Sequence, residues 1–160
     1  MSYTAAVVTV SDTCFAGTHT DTSGPRLCAL LREAGWDVVH TAIVPDEQDA
    51  IRAELLRGAD ALACDLILTT GGTGLSPRDV TPEATRSVLE REVPAIPQTM
   101  LLESLKITPR AMLSRAVCGT RGKTLILNLP GSEKGASENL LAVLDTLPHA
   151  MEMMRGGRHD

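Results

Sequence analysis

Aromatic side chains are almost absent, with one Trp, one Tyr and one Phe in 160 residues. That scarcity excludes a base-stacking platform for single-stranded nucleic acid, which needs several exposed rings along one surface. Positive charge is also short: 15 Lys and Arg stand against 20 Asp and Glu, a formal net charge of −5. The balance argues against a broad surface for nucleic acid or anionic membrane, so an anionic ligand must be met by local positive groups. No apolar run reaches the length of a membrane span, and the N-terminus lacks a basic, signal-like start. Cys14, Cys28, Cys64 and Cys118 form no Cys-x-x-Cys pair and the four histidines are dispersed, so a zinc site has no support. The cysteines read as reduced residues of a cytoplasmic protein, Cys28 and Cys118 in packing and Cys14 in a polar loop.

What is present is alternation. Short apolar runs over residues 5–10, 37–44, 66–70 and 125–129 read as strands. Between them lie helical patterns: one from Ser23-Gly24-Pro25 to a stop at Gly35, one opening at Pro45-Asp46-Glu47, one over residues 82–91, and one over 94–107 interrupted near Pro97. A terminal helix starts at about Ala136, and its Met151, Met153 and Met154 read as core or oligomer packing. Residues 13–22 read as an irregular loop. The expected fold is α/β, a single three-layer domain over residues 1–160 with a mainly parallel sheet flanked by helices. In such sheets the loops at the carboxyl ends of the strands gather into one ligand crevice.

The densest signal lies after the third strand, where Thr70-Gly71-Gly72-Thr73-Gly74 precedes Pro77-Arg78-Asp79-Val80-Thr81-Pro82-Glu83. Glycines there let backbone N–H groups approach a phosphate without a Cβ in the way. Thr81 suits a helix N-cap, with Pro82 at the first helical position. Arg78 can grip phosphate as a fork. Asp46 and Asp79 are hard oxygen ligands suited to Mg2+ beside nucleotide phosphates. Equally simple structural roles exist: Asp46 could cap the helix after Pro45, Asp79 could close an Asx-turn, Asp12 and Ser132 could begin turns, and Arg115 could serve an ion pair. Residues 119–124 superficially match a phosphate loop, but Val117 stands at the required first glycine and a strand follows, so a turn between strands is the better reading.

Together, Val10-Ser11-Asp12, Ser23-Gly24-Pro25, Val44-Pro45-Asp46-Glu47, the glycine segment through Thr85, Met112-Leu113-Ser114-Arg115 and Asn128-Leu129-Pro130-Gly131-Ser132 resemble the molybdopterin adenylyltransferase family. That family includes bacterial Mog proteins and the G domain of gephyrin. The resemblance runs in order through nearly the whole chain. It implies a homotrimer that transfers AMP from Mg-ATP to the terminal phosphate of molybdopterin, releasing pyrophosphate. It implies Asp46 and Asp79 as catalytic and Mg2+-handling residues, with Gly71, Gly72, Thr73, Gly74, Arg78, Pro130, Gly131 and Ser132 toward the nucleotide. Ser11, Asp12, Ser114, Arg115 and Lys134 then lie toward molybdopterin. Implied partners are a molybdopterin synthase and a molybdenum insertase, with no nucleic acid and no membrane. Glu133 departs from the family pattern, and pointing inward it would weaken anion binding. The sequence ends without the second domain of gephyrin-type proteins, which argues against a complete insertase or receptor scaffold. The competing reading is a non-catalytic molybdopterin-binding or assembly module of the same fold.

Overall fold

The computed structural model describes residues 2–157. Six strands form one sheet: Thr4–Val10 (β1), Asp37–Val44 (β2), Leu66–Thr70 (β3), Arg91–Glu92 (β4), Cys118–Arg121 (β5) and Thr124–Leu129 (β6). Their order is β2-β1-β3-β6-β5-β4, with β2, β1, β3 and β6 parallel and β5 and β4 antiparallel to their neighbours. The central strands are apolar on both faces because helices cover both.

One helical layer contains Ser23–Glu33 (α2), Ala95–Leu105 (α5), Glu133–Val143 (α6) and Leu147–Met154 (α7). Its Leu27, Leu31, Met100, Leu140 and Met151 pack with Ala5, Val7, Leu68, Leu127 and Leu129 of the sheet. The other layer contains Gln48–Leu56 (α3) and Thr81–Arg86 (α4). There Ile51, Leu55 and Ala84 meet the alternate residues Ala6, Val8, Val10, Ile67 and Ile126. Each fully buried Leu or Ile contributes about 1.5–3 kcal/mol relative to exposure. The expected three-layer α/β domain with a mainly parallel sheet is therefore present.

Local expectations fail in five places. Residues 13–22 are not wholly irregular, because Asp12–Ala16 forms a short helix (α1) whose N-cap Ser11 accepts the Cys14 N–H. The helix expected over 82–91 stops at Arg86, and Arg91–Glu92 instead adds the short edge strand β4 beside β5. Thr81 does not cap α4; its hydroxyl donates to Gly71 O at 2.9 Å. Pro97 does not interrupt α5 but sits in its first turn, where no intrahelical partner for its nitrogen is lost. The terminal segment is two helices, and α6 starts at Glu133 because Ser132 caps it by accepting the Gly135 N–H at 3.0 Å.

Sheet order fixes the position of the site. From β1 the chain moves to β2 on one side and reaches β3 on the other, so the loops after β1 and β3 diverge at a switch point. Ligands of open α/β sheets bind in the crevice such a reversal leaves at the strands' carboxyl ends.

Candidate active site

The loop after β3 is shaped by contacts that only glycine permits. Gly71 has φ +108° and a Cβ there would lie 2.2 Å from Val10 O; Gly72 has φ +70° and its Cβ would lie 2.3 Å from Thr81 Oγ1. The turn is anchored by the Gly71 N–H on Leu129 O and the Thr81 N–H on Gly72 O, each 3.1 Å. The N–H groups of Gly72, Thr73 and Gly74 meet no acceptor among the described residues. A short row of backbone donors is thus available to an anion.

Asp12, Asp46 and Arg78 converge beside this loop from the ends of β1, β2 and β3. Asp12 and Asp46 exchange two bonds: the Asp12 N–H donates to Asp46 Oδ2 and the Asp46 N–H to Asp12 Oδ1, both 2.9 Å. Arg78 places its fork on Asp12, Nε on Oδ2 at 3.0 Å and Nη2 on Oδ1 at 2.9 Å. Asp46 therefore does not cap α3, whose N-cap is Glu47 without a side-chain bond. Asp12 is likewise more than a turn residue. The guanidinium holds the Asp12 carboxyl below the ordinary aspartate range. Asp46 shifts upward, chiefly because burial penalises its charge, with repulsion from Asp12 and Asp79 adding to the effect.

Asp79 does not form the Asx-turn open to it but closes a turn backwards, its Oδ2 accepting the Ser76 N–H three residues earlier at 3.0 Å and its own N–H donating to Ser76 O at 2.9 Å. The two carboxylates nonetheless lean over the glycines: a Cβ on Gly72 would lie 3.1 Å from Asp46 Oδ1, and one on Gly74 3.0 Å from Asp79 Oδ2. Asp46 and Asp79 each retain an oxygen with no hydrogen-bond donor among the described residues. Two hard carboxylates beside a row of N–H donors fit Mg2+, which takes one or two protein carboxylates and completes its shell from phosphate and water.

Arg115 takes the structural role. Its N–H donates to Thr73 O, Nε to Gly74 O and Nη2 to Asp79 O, each at 2.8 Å, and Nη1 pairs with Glu83. Ser132 caps α6, Ser114 Oγ accepts the Ala116 N–H, and Lys134 is exposed with Glu138 4.0 Å away. Glu133 points to solvent in the first turn of α6, where a carboxylate suits the helix dipole. Of residues 119–124 only Gly122 and Lys123 form the turn between strands; Arg121 ends β5, where it is bound to Asp60 and Val88 O.

Several supporting residues sat inside or beside quoted motifs without their partners being legible. Thr70 donates to Pro130 O at 2.7 Å and Ser23 to Gly131 O at 2.8 Å, tying the loop after β6 to the crevice. Asp21 accepts from Thr9 Oγ1 at 2.6 Å and the Gly24 N–H at 3.0 Å. Their only trace was hydroxyls at the ends of apolar runs and one acid ahead of Ser23-Gly24-Pro25. Beside Pro130, Ser132 and Ser114 opens a cavity of about 510 Å3 between α5 and α6, walled by Pro94, Met100, Leu101, Ala116, Val117 and Cys118. Burial pushes the Cys118 thiol up to about 12, so it is inert packing.

Residues 6–149 match the family model described as a probable molybdopterin binding domain. The chain is 50% identical over 155 residues to the molybdenum cofactor synthesis protein cinnamon of Drosophila melanogaster, covering 96% of this chain but only 26% of that protein. It is 40% identical to the molybdopterin adenylyltransferase of Helicobacter pylori strain J99, covering 94% of this chain and 86% of that enzyme. Among solved structures, the molybdopterin biosynthesis enzyme MoaB of Thermus thermophilus superposes with a TM-score of 0.92 at 49% identity, over 99% of each chain.

Proposed function

The chain belongs to the molybdopterin-binding domain family, and from that premise we propose that it is a molybdopterin adenylyltransferase acting in molybdenum cofactor biosynthesis. The observation that carries this reading is the meeting of Asp46, Asp79 and Arg78 over a glycine loop with unspent N–H donors. In the reaction, a terminal phosphate oxygen of molybdopterin attacks the α-phosphorus of ATP. The bond from that phosphorus to the bridging oxygen of the β-phosphate breaks, and pyrophosphate leaves. The nucleophile is already an anion at neutral pH, so positioning and charge neutralisation dominate over proton abstraction.

Asp46 and Asp79 would hold Mg2+, which offsets phosphate charge when bound. The N–H groups of Gly72, Thr73 and Gly74 and the fork of Arg78 would receive nucleotide phosphates, with Pro130, Gly131 and Ser132 walling the same side. Ser11, Ser114 and Lys134 border the molybdopterin side, where Arg115 acts by holding the loop. The apolar cavity beside Pro130 and Ser114 supports accommodation of a planar ring. Exposed Leu102, Leu105, Ile107, Met112 and Leu113, on and after α5, support the homotrimer. Among the described residues no helix is long and apolar enough to cross a membrane, and a cytoplasmic site of action accords with four unpaired cysteines.

The test is conversion of molybdopterin and Mg-ATP to adenylylated molybdopterin, with pyrophosphate release followed in parallel. Wild-type protein turns over and requires the divalent ion, while Asp79→Asn folds normally and loses turnover. Tight molybdopterin binding without product, under conditions where another adenylyltransferase works, would make the protein a binding or assembly module.

A further inference from the structure

We propose that Asp12 is a positioning residue for adenylyl transfer, a joint that fixes Asp46 and Arg78 relative to each other rather than a contact to the pterin; this rests on the adenylyltransferase reading. The three residues come from three different loops, after β1, β2 and β3, and nothing local sets their spacing. Among the described residues, Asp12 supplies every hydrogen bond that joins them. Its N–H holds Asp46 Oδ2, its Oδ1 accepts the Asp46 N–H, and both its oxygens take the Arg78 fork.

Local structure gives the Asp12 side chain no other task. The helix α1 is capped by Ser11, whose hydroxyl oxygen accepts the Cys14 N–H at 3.1 Å, so the Asp12 carboxylate is free of capping duty. Each Asp12 oxygen already accepts at least one strong donor, and Oδ1 accepts two. Little capacity remains for an incoming ligand, and an anionic phosphate would be repelled. What the brace achieves is selection of an oxygen. With Asp46 Oδ2 pinned by the Asp12 N–H, Oδ1 is the oxygen left beside Gly72. The same carboxylate keeps the exposed Arg78 fork next to the glycine loop, where a polyphosphate can compete for it.

Steady-state adenylyl transfer on the intact protein tests this with Asp12→Ala, Asp12→Asn, Arg78→Ala and the Asp12→Asn/Arg78→Ala double variant. Loss of an outer partner that orients a functional group costs about 10- to 100-fold. Asp12→Ala should lower kcat by that factor while KM for molybdopterin stays at the wild-type value. Asp12→Asn, which keeps an acceptor for the Asp46 N–H, should recover part of the loss. The double variant should be no worse than its poorer single parent, because both substitutions break one connection. A raised molybdopterin KM with intact kcat, or losses that multiply, would overturn the proposal and return Asp12 to the pterin contact. Amide hydrogen exchange at Asp46 in the ligand-free protein gives a readout independent of turnover. Exchange should be faster in Asp12→Ala, which removes the acceptor of the Asp46 N–H, than in wild type, and unchanged exchange would remove the brace even if the protein turns over. A wild type that shows no turnover at all, with the exchange result as expected, would instead sink only the enzymatic reading.

Discussion

Arg78 belongs to the crevice loop after β3 and Arg115 holds that loop from outside, and the two guanidinium groups are engaged differently. Arg115 reaches from beyond the 3-10 turn Pro109–Leu113 and gives its donors to Thr73 O, Gly74 O, Asp79 O and Glu83, with a third of its side chain exposed (33%). Among the described residues Arg78 has one hydrogen-bond partner, Asp12, and is more than half exposed (58%). The guanidinium chemistry is identical, so the difference lies in what each fork would give up on meeting a phosphate. Arg115 would have to abandon backbone carbonyls that define the loop, leaving them unpaired. Arg78 would exchange one solvated carboxylate for another anion, at small net cost. On the proposed reading, a fixed arginine and an exchangeable one divide shape from binding within one loop.

The sharpest way to probe this division is the carboxylate beside it. Asp46→Asn preserves an acceptor for the Asp12 N–H but removes the charge, and kcat should fall by about 10²-fold or more. Stability should move the other way. Because the folded state raises the Asp46 pKa above its unfolded value, protonated Asp46 stabilises the fold in acid, and that contribution is lost as pH rises through the raised value. The asparagine variant should therefore melt no lower than wild type at pH 7, with its advantage shrinking toward pH 4 in thermal scans. A clear drop in melting temperature at pH 7 would show that the charged Asp46 supports the fold.

Arg115→Met should cost about 2 kcal/mol and lower Tm by about 4–8 °C, since it strands several loop acceptors. The Glu83 carboxyl, held below its ordinary range mainly by Arg115, should titrate nearer the normal glutamate value in that variant. The Glu83–Arg115 contribution is present above the unfolded glutamate pKa and lost as pH falls through the lowered one, so the stability gap to wild type should narrow in acid. Arg78→Met should shift Tm least, by about 2 °C or less, while weakening binding of a non-hydrolysable ATP analogue measured calorimetrically. If Arg78→Met melts as low as Arg115→Met, the two arginines are not different in kind.

The pattern of buried strands was legible because β1, β3 and β6 are continuous apolar runs covered on both faces, and their boundaries follow the runs closely. Helix ends were less so. The stretch after Arg86 keeps helical spacing through Val88, yet Glu90 and Val93 donate their N–H groups to Thr120 O and Cys118 O, so sheet pairing overrides the pattern. At the site, the residue types of Asp46, Asp79, Arg78 and the glycines pointed to their neighbourhood. Their connections did not show: Asp12 meets Asp46 across 34 positions and Arg78 across 66, and Arg115 reaches Gly74 across 41. Such links arise only when the sheet brings loops together. A capping role for Asp46 is therefore as natural as any other in the sequence, and only the fold, which sets its Oδ2 on the Asp12 N–H, decides against it.

Strand order also sets a schedule for assembly. β3 takes as its inner neighbour β6, and Thr70 bonds to Pro130 across 60 positions of chain. A polypeptide emerging from the ribosome N-terminus first can place β1, β2 and β3 together while β6 is still unmade. Until then β3 has one open side, and the carbonyl of Leu129 that anchors the Gly71 N–H is missing. The glycine turn gains its anchor on Leu129 only when this late strand docks, so the nascent chain carries its acidic residues well before the crevice around them is complete.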